Sequence, residues 1–491
     1  MGKIASQSIL TAVFSYLGVL IGYVNVLWLY PYALDANELG IFRTIQDLAL
    51  LFVPFAQLGV GHGITRYFPK LESNQSAFLS YGLAFSLLGF LVVAALFLGF
   101  KEEVIQVFAI NSPEVVDFLG IVLLITLFAL LGSVMDAYAR SFLKVAVPTF
   151  FREVFLRFLT SVLICLYLLD WIDFEQVMLG LIVVYGLAFA GVLIFLVWRK
   201  VLVLDFRWKN FPTGFRSSFL KFSLITFLAT AASTLIMKID SIMVSAMVGL
   251  EANAIYSIAF YMALVIELPR RAVSQVAMPV IADHFAKDRI EEINHLYRQI
   301  SNRQLYICLL IFALIWGNID QIYHFVPNRE IYQAGKWVVF YIALGKIFDV
   351  GFSINSEILV FSKYYRFNLI LTIAMSVLII AVNFWLIPIY GINGAAIGSA
   401  LVMLIFNGIK YGYLKWKLRL DPFSWDTLRI LFIGSMVLSL SGHGIESAAP
   451  IINIFFKSLF ILGIYGVMSM ALNVGREEWD YLKKLFKKSG P

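Results

Sequence analysis

Fourteen apolar stretches of about 20 residues divide this 491-residue chain, beginning near Ile9, Leu39, Ala77, Val115, Phe150, Gln176, Phe219, Asn253, Leu305, Lys336, Phe367, Ile392, Leu428 and Ile451. A helix rises about 1.5 Å per residue and a bilayer's hydrocarbon core is about 30 Å thick, so runs of this length suit membrane-crossing helices. A spanning strand needs only about ten residues, which excludes a sheet architecture. The predicted fold class is therefore all-α integral membrane, with about 14 transmembrane helices. Composition agrees: 61% of residues are hydrophobic, 14% are charged, and mean hydropathy is +0.86. Lipid is the solvent for most of these side chains.

Positive charge falls in alternate connections: Arg66 and Lys70, Arg140 and Lys144, Arg199 to Arg216, Lys287 to Arg303, Lys363 and Arg366, Lys415 to Arg419, and the tail Lys483 to Lys488. The intervening connections hold little more than Lys101, Arg329 and Lys336. The positive-inside rule then predicts two cytoplasmic termini and short external loops. Trp28, Tyr30, Trp171, Tyr323, Trp337, Trp385 and Tyr390 sit at span ends, where amphipathic rings favour the headgroup layer. The net charge of +7 reads as topology, and no nucleic-acid partner is expected. Lys3 precedes an apolar run without an Ala-x-Ala site, the pattern of an uncleaved first span. Cys165 and Cys308 lie in apolar segments and read as small buried thiols. The five histidines lack metal-ligand spacing, and no Walker motif is present, so no metal, cofactor or intrinsic ATPase is expected.

A shift of 214 residues lays Ala36–Phe42 on Leu250–Tyr256 and Arg152 on Arg366. In both copies a small residue precedes Ile and an aromatic, Gly40-Ile41-Phe42 and Ala254-Ile255-Tyr256, and a polar span with a proline follows, Pro54 or Pro269. About six spans per copy is an even number, so the copies share one orientation, and a pseudo-two-fold along the membrane normal relates them. The predicted organisation is a six-helix lobe over 1–198, a cytoplasmic linker over 199–218, a second six-helix lobe over 219–417, two further transmembrane helices over 418–474, and a basic amphipathic cytoplasmic tail over 475–491.

Several segments together resemble a known family: Leu39-Gly-Ile-Phe, the run Leu58-Gly-Val-Gly-His-Gly-Ile-Thr-Arg-Tyr-Phe68, Asp240 in span seven, and the turn Pro388-Ile-Tyr-Gly-Ile-Asn-Gly-Ala-Ala-Ile-Gly398. The chain resembles, over nearly its whole length, the polysaccharide and oligosaccharide-lipid exporters of the multidrug/oligosaccharidyl-lipid/polysaccharide (MOP) flippase superfamily. The resemblance implies two lobes around a central cavity, alternating access, and export of an undecaprenyl-pyrophosphate-linked oligosaccharide across the bacterial inner membrane. It also implies a transporter rather than an enzyme, serving cell-surface polysaccharide biosynthesis beside glycosyltransferases and a polysaccharide polymerase.

An ionisable group at the bilayer centre costs about 2.5 to 3.5 kcal/mol on insertion scales, which singles out the charges inside spans. Arg43, Lys238, Lys346, Arg270 and Arg271 form a staggered cationic series, the candidate site for a pyrophosphate, since guanidinium groups pair bidentately with phosphate oxygens. Asp240, Glu267 and Asp349 are candidate coupling carboxylates for a proton or sodium gradient. Helix spacing allows Arg43 to pair with Asp47, Glu267 with Arg271, and Lys346 with Asp349, whereas Lys238 and Asp240 point apart. Ion pairs that fix packing are an equal reading of the same residues. Asn25, Gln46, Gln57, Tyr256, Tyr261 and Asn355 are candidates for sugar contacts or for interhelical hydrogen bonds. Residues 283–303 and the tail have the pattern of amphipathic surface helices. Two other functions remain: a cation-coupled multidrug exporter of the same superfamily, and a membrane polymerase or ligase acting on lipid-linked glycans. The first calls for an acidic or aromatic cavity. The second calls for a large external loop.

Overall fold

The computed structural model describes residues 2–71, 75–208, 211–442 and 449–475. Among them the chain is largely helical, without a strand, and each of the fourteen apolar stretches begins on a helix. These are α1 Ser6–Ala33, α2 Ala36–Gln57, α3 Gln75–Gly99, α4 Pro113–Ser141, α5 over 146–168, α6 Phe174–Trp198 and α7 Phe215–Met247. Then come α8 Leu250–Ala286, α9 Ile290–Gly317, α10 Lys336–Phe352, α11 Tyr365–Tyr390, α12 Ile392–Leu418, α13 Trp425–Leu440 and α14 Pro450–Ala471. Eleven are long and apolar enough to cross a membrane, or twelve when the pair Arg329–Phe352 and Asn355–Phe361, bent by 47°, is taken as one span. Two of the predicted fourteen fall short for different reasons. Helix α5 carries Arg152, Glu153 and Arg157, and α13 has 16 residues. The tail over 476–491 and His443 lie outside the described residues.

The fold is inside-out relative to a soluble bundle. Large apolar side chains such as Leu20, Leu91, Ile194, Ile370, Phe384 and Val467 are exposed, whereas Asp240, Lys346 and Lys410 are buried. With helices this apolar, the molecule is a multi-pass membrane protein.

The chain forms two compact units, Met1–Ile258 with Thr372–Ile392, and Ala259–Leu371 with Asn393–Pro491. In the first, Asp35 caps α2 through its side chain, in a reciprocal box with Glu38. Pro54 lies in the last turn of α2, and Leu58 and Gly59 then take left-handed conformations (φ 50° and 73°), which turns the chain into the short helix Val60–Tyr67. A Cβ at Gly59 would run into the Ser223 carbonyl of α7, and one at Gly40 into the Leu250 carbonyl at the start of α8. These two contacts explain the Gly40-Ile-Phe and Leu58-Gly-Val-Gly segments: each glycine lets one helix approach the backbone of another. Phe78, Tyr138 and Phe219 fill the adjoining core. The basic linker docks on this unit, where Val201 accepts from Tyr138 at 2.9 Å and Trp208 donates to Ser80 at 2.9 Å.

In the second unit, Pro269 follows a 3₁₀ turn at Val265–Glu267 that interrupts α8. Its ring has no N–H to continue the α-helical ladder, and the turn tightens there. Helix α10 ends at Ser353 (φ 51°), and the chain resumes as the short helix Asn355–Phe361. The first half of α9 corrects the surface-helix reading of residues 283–303. Ile293 and Tyr297 are buried against Ala277, Ile281 and Ile358, with Phe285, Leu296 and Ile300 packed beside them. The apolar face meets protein, because α9 runs on from Ile290 to Gly317 without a break.

Candidate functional site

The charged residues singled out in the sequence fall into two groups, one in each unit. In the first unit, Lys238 of α7 donates to Asp47 of α2 at 2.5 Å. Arg43, one turn before Asp47, lies over the Tyr30 ring at 5.4 Å from its centroid. Asp240, two residues beyond Lys238, accepts from Tyr256 of α8 at 2.9 Å and from Asn383 of α11 at 2.7 Å. Helical spacing points Lys238 and Asp240 apart, and each meets a different helix. A buried polar seam continues beside them. Ser241 donates to Asn253, Asn253 to Thr44, and Thr44 to Ser245, at 2.8, 2.9 and 2.9 Å.

The second unit gathers more charge. Lys346 of α10 donates to Glu267 at 2.6 Å, and Arg271 reaches the other oxygen of the same carboxylate at 3.2 Å. Arg270 pairs with Asp349 at 2.5 Å and donates to the Ser353 carbonyl at 3.3 Å. The pairing of Lys346 with Asp349 that helix spacing allows within α10 is not the one made; both side chains turn instead to α8. The 3₁₀ turn and Pro269 bring Glu267, Arg270 and Arg271 together at this break. Asn407 of α12 donates to Asp349 at 3.0 Å and accepts from Asn355 at 2.9 Å. Glu357 accepts from Ser274 at 2.8 Å, and Lys410 of α12 donates to Ser356 and lies over the Phe406 ring. Four basic side chains, Arg270, Arg271, Lys346 and Lys410, thus accompany three carboxylates, Glu267, Asp349 and Glu357. Arg271 is its exposed member, with 47% of its side chain accessible against 9% for Lys346.

Several of the residues considered for sugars are engaged within the protein. Asn25 donates to the Arg157 carbonyl, Gln57 to Ser133, Tyr256 to Asp240 and Asn355 to Asn407. Lys410, Asn407 and Asn383 were not singled out in the sequence. Lys410 precedes the basic run Lys415 to Arg419 and merges with it by eye, although its i, i+3 spacing from Asn407 marks a polar face on α12. The two asparagines are neutral, so a search for charge passes over them.

No family model and no curated protein matches this sequence. Solved structures do match. The lipid II flippase MurJ, in an inward closed conformation, superposes with a TM-score of 0.72 at 16% identity, over 94% of this chain and 99% of that one. The fold is that of the MOP superfamily. An inward-facing multidrug resistance MATE family transporter of that superfamily gives 0.67 at 12% identity, over 83% of this chain and 94% of that one. An outward-facing MATE transporter gives 0.59 at 12% identity, over 85% and 95%. The likeness is one of fold, and it is the fold that the sequence resemblance implied.

Proposed function

We propose that this protein is a flippase that moves an undecaprenyl-pyrophosphate-linked oligosaccharide from the inner to the outer leaflet of a bacterial inner membrane by alternating access, for cell-surface polysaccharide biosynthesis. The observation that carries this reading is the gathering of Arg270, Arg271 and Lys346 at the α8 break, with Arg271 left open, in a fold shared along nearly its whole length with a lipid flippase. A pyrophosphate entering a low-dielectric interior needs fixed positive charge, and a guanidinium supplies two parallel donors to its oxygens. Arg271 keeps much of its surface open while Glu267 orients it, and it is the first of the five cations to meet the substrate. Arg270 and Lys346 hold the local charge balance. Arg43 and Lys238 in the first unit are further candidate anion contacts in the same proposal. Asp240, Glu267 and Asp349 are the carboxylates through which a proton or sodium gradient drives the cycle. The two six-helix lobes, the appended α13 and α14, the cytoplasmic termini, and partnership with glycosyltransferases and a polymerase belong to the same proposal.

The test is reconstitution into vesicles carrying the lipid-linked oligosaccharide, with its exposure on each face read by an added glycosidase. Protein-dependent transfer between leaflets is the expected result. Efflux of a cationic dye without lipid transfer would favour the multidrug exporter, a reading supported by the MATE neighbours. Glycan lengthening without transfer would favour the membrane polymerase or ligase.

A further inference from the structure

Two adjoining cavities of about 450 and 500 Å³ open beside α9 and α13 in the second unit. The first is polar. Its α9 wall is a single stripe, His295, Arg298, Gln299, Asn302, Arg303 and Tyr306, at the i, i+3, i+4, i+7, i+8, i+11 spacing of one helix face. Asp426 also lines it, and Arg429 neutralises that carboxylate at 2.9 Å. The second cavity is apolar, walled by Phe423, Trp425, Leu428 and Leu431. Arg298 lines both, is exposed, and has no hydrogen-bonding or ionic partner among the described residues.

The walls are held in place by other contacts. Asn302 donates to Ser424 at 3.0 Å and accepts from Thr427 at 2.7 Å, which fixes the start of α13 against α9. Tyr306 donates to Ser469 of α14 at 3.0 Å. Helix α9 has 28 residues, about 42 Å at 1.5 Å per residue, so its charged first half extends beyond a core of about 30 Å. The exposed Trp425 indole suits the same interfacial level.

We propose that the two cavities together bind an anionic glycerophospholipid, with its phosphate at Arg298 and its acyl chains along Leu428 and Leu431. A cation at the junction of a polar and an apolar cavity matches the order of groups in such a lipid, headgroup, phosphate, then chains. A free phosphate would use only the polar half. The site stands on membrane residence alone and is independent of the transported substrate proposed above.

Native mass spectrometry of the full-length protein tests it, with phosphatidylglycerol and phosphatidylcholine of equal chain length in competition. The expected result is a preference for phosphatidylglycerol that falls about tenfold in Arg298→Gln, the loss of one charge-assisted contact, and persists in the control Arg289→Gln. Leu431→Gln should weaken retention of long-chain phosphatidylglycerol more than of its short-chain counterpart. Equal retention of the two headgroups by the unaltered protein, or an undiminished preference in Arg298→Gln, would overturn the proposal. Displacement of the lipid by inorganic phosphate at matched concentration would overturn it too, by showing a site for a soluble anion.

Discussion

Glu267 lies between Lys346 at 2.6 Å and Arg271 at 3.2 Å, and the two cations have different surroundings. Lys346 is buried, so truncating it leaves a carboxylate with only a half-exposed partner; Lys346→Met should cost on the order of 3 kcal/mol. Arg271 stands largely in the open, and its loss leaves Glu267 paired, so Arg271→Gln should cost less than about 1 kcal/mol. Thermal unfolding in detergent would show the difference as a large shift in the first variant and a small one in the second. In the flipping assay the order should reverse per unit of folded protein, with Arg271→Gln losing most of its activity. Full activity in the double variant Glu267→Gln/Arg271→Gln at normal abundance would remove Arg271 from the site. Asn383 is a third residue to test. Asn383→Leu withdraws a donor from buried Asp240 and should cost about 1 to 3 kcal/mol by the same measurement. The sequence showed much of the buried charge, though not Lys410, and the one pairing within a helix, Glu267 with Arg271, but not the pairings between helices. Whether Asp349 meets Lys346 or Arg270 depends on the rotation of α10 against α8, which no local pattern encodes.

Elements were more legible than partners, because an apolar run of spanning length is a local property. The breaks were legible only in part. Pro54 and Pro269, noted in the sequence only as part of the repeat, lie beside breaks, and Gly59 takes the left-handed turn after α2, whereas no proline or glycine stands at the Ser353 bend itself. Residues 283–303 show the limit: an apolar stripe looks the same whether it meets lipid or Ile281 and Ile358. At Gly59 two penalties coincide, a left-handed φ and a collision with a backbone carbonyl that cannot swing aside. Gly59→Ala should therefore exceed the roughly 1 kcal/mol expected from conformation alone. Gly40→Val should act similarly at the Leu250 carbonyl. Size-exclusion profiles of fluorescent fusions should show both variants with a reduced folded peak, while Gly412→Ala, where a Cβ meets nothing, keeps the original profile.

For the whole molecule, the alternation of basic connections makes an orientation testable. In a background with Cys165→Ser and Cys308→Ser, Lys200→Cys should react with a membrane-impermeant maleimide only after the cells are opened, and Asp170→Cys in intact cells. Labelling of Lys200→Cys from outside would reverse the topology. The two compact units are also interleaved along the chain, since the first is completed only by residues 372–392. That ordering has a consequence in time. Asn383 follows Asp240 by 143 residues, which a ribosome adds in roughly 7 to 30 s at about 5 to 20 residues per second. Tyr256 arrives only 16 residues after Asp240. During synthesis, then, Tyr256 is available to Asp240 for many seconds before the amide partner Asn383 emerges.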